Sequence, residues 1–130
     1  MKILVPVRYP LKPQGRRTLE RALEVGGEDD EYVILHVDLF QDSKNVTREK
    51  LRREVEDELG EVDARYVVRE GFLVEESILQ EAASQKADLI VIGKTRSGRL
   101  RRTMRRMIGN DPDIENFLRK KLNAEIEVVG

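Results

Sequence analysis

The chain has 130 residues, of which 39% are hydrophobic and 38% charged, with a formal net charge of −1 and no cysteine. That length suits one domain spanning residues 1–130, and the apolar fraction suffices for a core. The charged fraction exceeds the usual share of about a quarter, as in very soluble or heat- and salt-adapted proteins. Disulfides, thiol catalysis and cysteine-based zinc sites are excluded, and a single histidine cannot make a histidine-rich metal site.

The first strand is expected over residues 3–7, a short apolar run with Pro6 near its end, where a missing N–H is tolerated. Pro10, Pro13 and Gly15 read as a loop. A helix follows over 18–25, with Leu19, Ala22 and Leu23 on one face and Gly26-Gly27 ending it. The second strand is expected over 32–40. A helix over 46–59 places Leu51, Val55 and Leu59 four apart, and Gly60 closes it. A third strand over 64–69 leads through Gly71 to a helix over 74–86, whose face is Ile78, Leu79, Ala82 and Ala83.

Leu89-Ile90-Val91-Ile92 is wholly apolar and is predicted to be a central strand. Asp111-Pro112 reads as a helix cap with proline at the first helical position, and Ile114, Phe117, Leu118 and Leu122 form that helix's inner face. The last strand, from Ala124 to Val129, alternates Ile126 and Val128 with Glu125 and Glu127. That alternation predicts an edge strand able to pair with a second copy. Ile126→Lys is expected to weaken such a dimer.

Alternating strands and helices predict an α/β fold, a doubly wound parallel sheet with helices on both faces. Ligands of such sheets bind beyond the carboxyl ends of the strands where the winding reverses. Two strands there end in unusual loops, Pro6-Val7-Arg8-Tyr9-Pro10 and Gly93-Lys94-Thr95-Arg96-Ser97-Gly98.

The segment after the fourth strand is cationic. Lys94, Arg96, Arg99, Arg101, Arg102, Arg105 and Arg106 lie in it without an acid. Leu100, Met104, Met107 and Ile108 have helical spacing, so residues 99–108 read as an amphipathic helix whose arginines face water or acidic neighbours such as Glu54, Glu56, Asp57 and Glu58. Nucleic-acid binding through 94–108 is the rival reading, and the few nearby aromatics argue against single-strand recognition. His36 is expected to satisfy a hydrogen bond near its strand end. No carboxylate pair or nucleophile with a base is placed in either loop, so no enzymatic activity is expected.

In its order of segments the chain resembles the universal stress protein family. The residues that carry the likeness are Lys2-Ile3-Leu4-Val5-Pro6-Val7, Ile34-Leu35-His36-Val37, Val68-Arg69-Glu70-Gly71 and Ala87-Asp88-Leu89-Ile90-Val91-Ile92-Gly93 with Arg96-Ser97-Gly98. The resemblance implies a five-stranded parallel sheet in the order 3-2-1-4-5 and a homodimer through the last strand. Nucleotide-binding members hold ATP with G-x2-G-x9-G-[ST] after strand four and an Asp after strand one, glycines letting backbone N–H groups approach phosphate.

The present chain departs from that pattern. Arg8 stands at the Asp position, Arg96 at the second glycine, and Asn110 where Ser or Thr belongs; the spacing from Gly98 to Gly109 is stretched. A group able to accept from a ribose hydroxyl or an adenine amine has become a donor-only cation. The resemblance therefore implies a regulatory or interaction module with degenerate or weak binding of ATP. The alternative is a genuine adenine-nucleotide-binding member with a modified phosphate loop. Either way the candidate ligand residues are Pro6, Val7, Arg8, Val37, Ile92, Gly93, Lys94, Arg96, Gly98, Gly109 and Asn110, and the expected ligand is a small molecule bearing phosphate. No apolar run approaches a membrane span, and Met1 leads into Lys2-Ile3-Leu4-Val5 without a signal-peptide pattern, so a cytoplasmic location is expected.

Overall fold

The computed structural model describes residues 1–42, 44–94 and 114–130. Five strands and four helices alternate among the described residues: β1 (Lys2–Pro6), α1 (Pro13–Val25), β2 (Glu31–Leu39), α2 (Arg48–Leu59), β3 (Arg65–Gly71), α3 (Val74–Gln85), β4 (Leu89–Gly93), α4 (Ile114–Lys121) and β5 (Glu125–Val129). The sheet is wholly parallel and its order is β3-β2-β1-β4-β5, as expected.

The three inner strands are apolar on both faces because helices cover both. Ile3, Val5, Ile34 and Val91 join Leu19 and Ala22 of α1 and Leu51 and Val55 of α2 in one cluster. Leu4, Val33, Leu35 and Ile90 join Ile78 and Ala82 of α3 and Leu118 of α4 in the other. Ile3, Leu4, Leu35 and Ile90 are no more than 1% exposed. Each such aliphatic side chain contributes about 1.5–3 kcal/mol on burial.

Local rules explain most helix ends. Helix α1 starts five residues before the expected Thr18. Pro13 occupies its first turn, where a missing N–H costs nothing and its fixed φ suits the helix, so the expected loop ends at Lys12. Helix α2 starts at Arg48, not at residue 46. Thr47 caps it by accepting from the Lys50 N–H at 3.1 Å. Val46 before the cap and Leu51 in the helix belong to the same core cluster, which fixes how the chain enters α2. Gly60 ends α2 with φ 80°, a conformation glycine adopts freely. Gly26 ends α1 for a different reason: its backbone is extended, and a Cβ there would strike Tyr32 Oη and Ile3 Cδ1.

The edge position of β5 is as expected, but its alternation has a different consequence. Ile126 is buried and Val128 packs on the cluster beneath α3 and α4. Ile126→Lys would put a charge into the protomer's own core, so it does not report selectively on a dimer. Three acids proposed to face the basic segment have partners elsewhere: Glu54 accepts from the Leu11 N–H at 2.8 Å, Glu56 pairs with Arg52 at 3.3 Å and Glu58 with Arg16 at 3.1 Å.

Candidate functional site

The strand order reverses between β1 and β4, and there the sheet opens. Paired residues of β1 and β4 are Ile3 with Leu89 and Leu4 with Ile90. Beyond them each strand holds to its outer neighbour. Pairing of β1 with β2 runs on to Pro6 and Leu35, and the Val7 N–H then donates to Leu35 O at 2.8 Å. Pairing of β4 with β5 runs on to Gly93 and Val129, and the Lys94 N–H donates to Val129 O at 2.7 Å. A crevice between the carboxyl ends of two diverging strands is where doubly wound sheets bind ligands.

Arg8 follows β1 and Lys94 follows β4, so both lie just beyond the carboxyl ends of these strands, with Val37 on neighbouring β2. Arg8 and Lys94 are exposed. Neither side chain has a hydrogen-bond or ion-pair partner among the described residues. The two faces of the crevice differ. Val7 packs beneath α1 and α2, whereas Val37 and Ile92 pack with the cluster beneath α3 and α4. Pro6 is half-buried between the faces.

Gly93 has a packing role that the sequence did not reveal. A Cβ added there would lie 3.0 Å from Thr18 Oγ1 and 3.1 Å from Gln14 Nε2. Both neighbours are held. The Thr18 hydroxyl donates to Gln14 O at 2.8 Å, and Gln14 Nε2 donates to Val129 O at 2.7 Å. The first turn of α1 thus closes over Gly93 and ties β4, β5 and α1 together. A side chain at Gly93 would have to displace Thr18 or Gln14, which gives the glycine a packing reason. Gln14 and Thr18, four apart on one helix face, escaped the sequence reading because α1 was expected to begin later.

Beside the crevice lies a buried polar pair. His36 is 6% exposed, and its Nδ1–H donates to Val7 O at 3.1 Å, the strand-end hydrogen bond expected of it. Burial lowers its pKa from 6.5; the Val7 carbonyl and the Asp38 carboxylate oppose that shift, and Lys44 reinforces it. The Tyr9 ring packs 6.1 Å from the imidazole, centroid to centroid. Asp38, also 6% exposed, accepts from the Val46 N–H at 3.1 Å and so anchors the chain entering α2. Nothing in the sequence pattern around Asp38 marks it as buried, since it follows an apolar run near a strand end.

Arg96, Gly98, Gly109 and Asn110 lie outside the described residues, as do the helix expected over 99–108 and the Asp111-Pro112 cap. Among the described residues no group of three or more His, Asp or Glu side chains is placed to hold a metal ion, and no helix is long and apolar enough to cross a membrane.

Comparison with known proteins agrees with this architecture. The family model described as "Universal stress protein family" matches residues 1–110. No curated protein sequence matches significantly. Among solved structures, the universal stress protein UspA from Lactobacillus plantarum is 15% identical, with a TM-score of 0.66, over 100% of this chain and 97% of its own. A universal stress protein from Archaeoglobus fulgidus is 18% identical, with a TM-score of 0.63, over 100% and 98%. A universal stress protein solved in complex with cAMP is 16% identical, with a TM-score of 0.60, over 98% and 96%. At such identities the structural likeness speaks for the fold, while the family model speaks for descent, and on that ground this chain belongs to the universal stress protein family.

Proposed function

We propose that this chain is a non-enzymatic regulatory or interaction module of the universal stress type, that it self-associates through β5, and that its switch-point crevice takes an anionic, phosphate-bearing small molecule in place of ordinary ATP. The observation that carries this reading is the pair Arg8 and Lys94, two exposed cations that follow the diverging carboxyl ends of β1 and β4. Two donor-only side chains at the ends of neighbouring strands favour an anion. The Asp that nucleotide-binding relatives present after strand one is absent, and Gly93 is already crowded by Gln14 and Thr18. Pro6, Val7, Val37 and Ile92 would supply the walls, with Arg96, Gly98, Gly109 and Asn110 as further candidate contacts.

One observation favours a second reading, a genuine adenine-nucleotide binder. A structural relative was solved in complex with cAMP, and Pro6, Val7 and Val37 stand at or near the carboxyl ends of β1 and β2 in this chain.

Two measurements separate the readings. Purified protein is denatured and its supernatant scanned for adenine absorbance; the first reading expects no stoichiometric nucleotide, and its presence would overturn that reading. Thermal unfolding is then followed with Mg-ATP and with inorganic phosphate or pyrophosphate. A ligand bound only by the native state raises the midpoint by mass action. The first reading expects a rise with pyrophosphate that Arg8→Ala removes, and little with Mg-ATP beyond its phosphate contribution.

A further inference from the structure

The free edge of β5 carries a device that bears on how this chain meets a second copy. Peptide groups alternate along a strand, and those of one parity face the paired neighbour. The Glu125 N–H donates to Asp88 O at 3.0 Å, and Val129 O accepts from the Lys94 N–H at 2.7 Å. Odd-numbered residues of β5 therefore turn toward β4. Ile126 and Val128 turn their peptide groups outward, to the side where no strand pairs among the described residues. Such an edge is a template for another chain, and proteins that must not aggregate obstruct it.

Here one outward carbonyl is already engaged. Arg119, on α4, donates from Nη2 to Ile126 O at 3.0 Å. Its Nε donates to Glu115 Oε2 at 2.9 Å, one turn earlier on the same helix. Glu115 thus steers the guanidinium across the edge while the rest of its fork caps the strand. An incoming strand needs Ile126 O as an acceptor, and the guanidinium stands where the partner's peptide N–H must come. The apolar side chains of β5 do not recruit the partner either, because Ile126 and Val128 pack inward.

We propose that Arg119 guards the β5 edge, so that strand addition by a second copy of this chain requires the guanidinium to leave Ile126 O. A two-fold dimer contains two such guards. The inference rests on the reading that self-association uses β5, and is independent of what the crevice binds.

The test is sedimentation velocity of the full chain across a concentration series, comparing the native sequence with Arg119→Ala and Glu115→Gln. Removing the guard is expected to tighten dimerisation at least about tenfold, the factor that 1.4 kcal/mol represents. Glu115→Gln, which leaves the arginine but loosens its tether, shifts it less in the same direction. Adding Val128→Pro to Arg119→Ala removes an outward N–H at a position where an edge strand tolerates proline, and should reverse the gain. Hydrogen exchange supplies a second readout: the Val128 amide should become protected at lower protein concentration in Arg119→Ala than in the native chain. Equal dimerisation constants for native and Arg119→Ala protein would overturn the guard, as would a gain that Val128→Pro leaves intact. A dimer tightened by Arg119→Ala in protein that still carries ATP would sink the anion reading and leave the guard standing.

Discussion

The two ends of the central strands are built in opposite ways. At the amino ends, Asp88 stitches three strands together: its carboxylate accepts from the Lys2 N–H at 2.8 Å, its own N–H donates to Lys2 O at 2.8 Å, and its carbonyl accepts from the Glu125 N–H at 3.0 Å. At the carboxyl ends β1 and β4 part company, and the residues at the opening are the cations Arg8 and Lys94. One end spends its charge on holding backbone together. The other leaves charge exposed where a ligand can reach it. If the open end is the recognition site proposed above, stability and recognition fall at opposite ends of the same strands, and substitutions at the two ends should behave differently.

The sharpest challenge to that division is Gly93, which sits at the open end yet has a packing role. Gly93→Val should cost about 2 kcal/mol in chemical denaturation, because Thr18 and Gln14 are both hydrogen-bonded and cannot withdraw freely. If the loss is negligible, the glycine is there for a ligand. Asp88→Ala should cost about 1 kcal/mol, since the Lys2 N–H it serves is exposed and water substitutes in part. Also at the closed end, Lys86 follows α3 in the left-handed conformation, with φ 55° and ψ 50°. Lys86→Gly should add about 0.5–1 kcal/mol by removing the strain that a Cβ brings there.

Two further substitutions probe groups at the open end. Above pH 6.5 His36 is neutral in both folded and unfolded chains, and it adds no pH dependence. As pH falls below 6.5 the unfolded chain takes the proton first, so stability declines toward the lowered folded-state value. His36→Asn keeps a donor for Val7 O and does not titrate, so the slope of stability against pH in this range should flatten. Arg8→Ala should leave the unfolding midpoint within about 0.5 kcal/mol of native, while removing protection by pyrophosphate. A large loss of stability from Arg8→Ala would mean that this cation holds the fold together as Asp88 does.

Hydrophobic pattern alone is sufficient for the fold class. Runs such as Leu89-Ile90-Val91-Ile92 have no polar face to show to water, so they demand helices on both sides and a parallel sheet. Gly60 and the i, i+4 spacing of Leu51 and Val55 placed α2 to within two residues. The family resemblance then supplied the strand order, which periodicity does not contain. It also drew attention to Arg8, whose departure from the expected Asp is visible in the chain by inspection.

What tertiary structure decided are the roles that depend on neighbours distant in sequence. Gly93 reads as a candidate phosphate-loop glycine, and only the fold adds the packing constraint from Gln14 and Thr18. Ile126 looked like a dimer contact, and α3 and α4 claim it for the core. The sequence pattern does not single out Arg119, and only the folded edge shows it on Ile126 O. A sequence records which residues prefer to be buried or to turn, because those preferences are local and periodic. Which groups meet across the sheet is set by how the elements pack, and that geometry leaves Arg8 and Lys94 exposed beyond diverging strands and puts Arg119 on the open edge at Ile126 O.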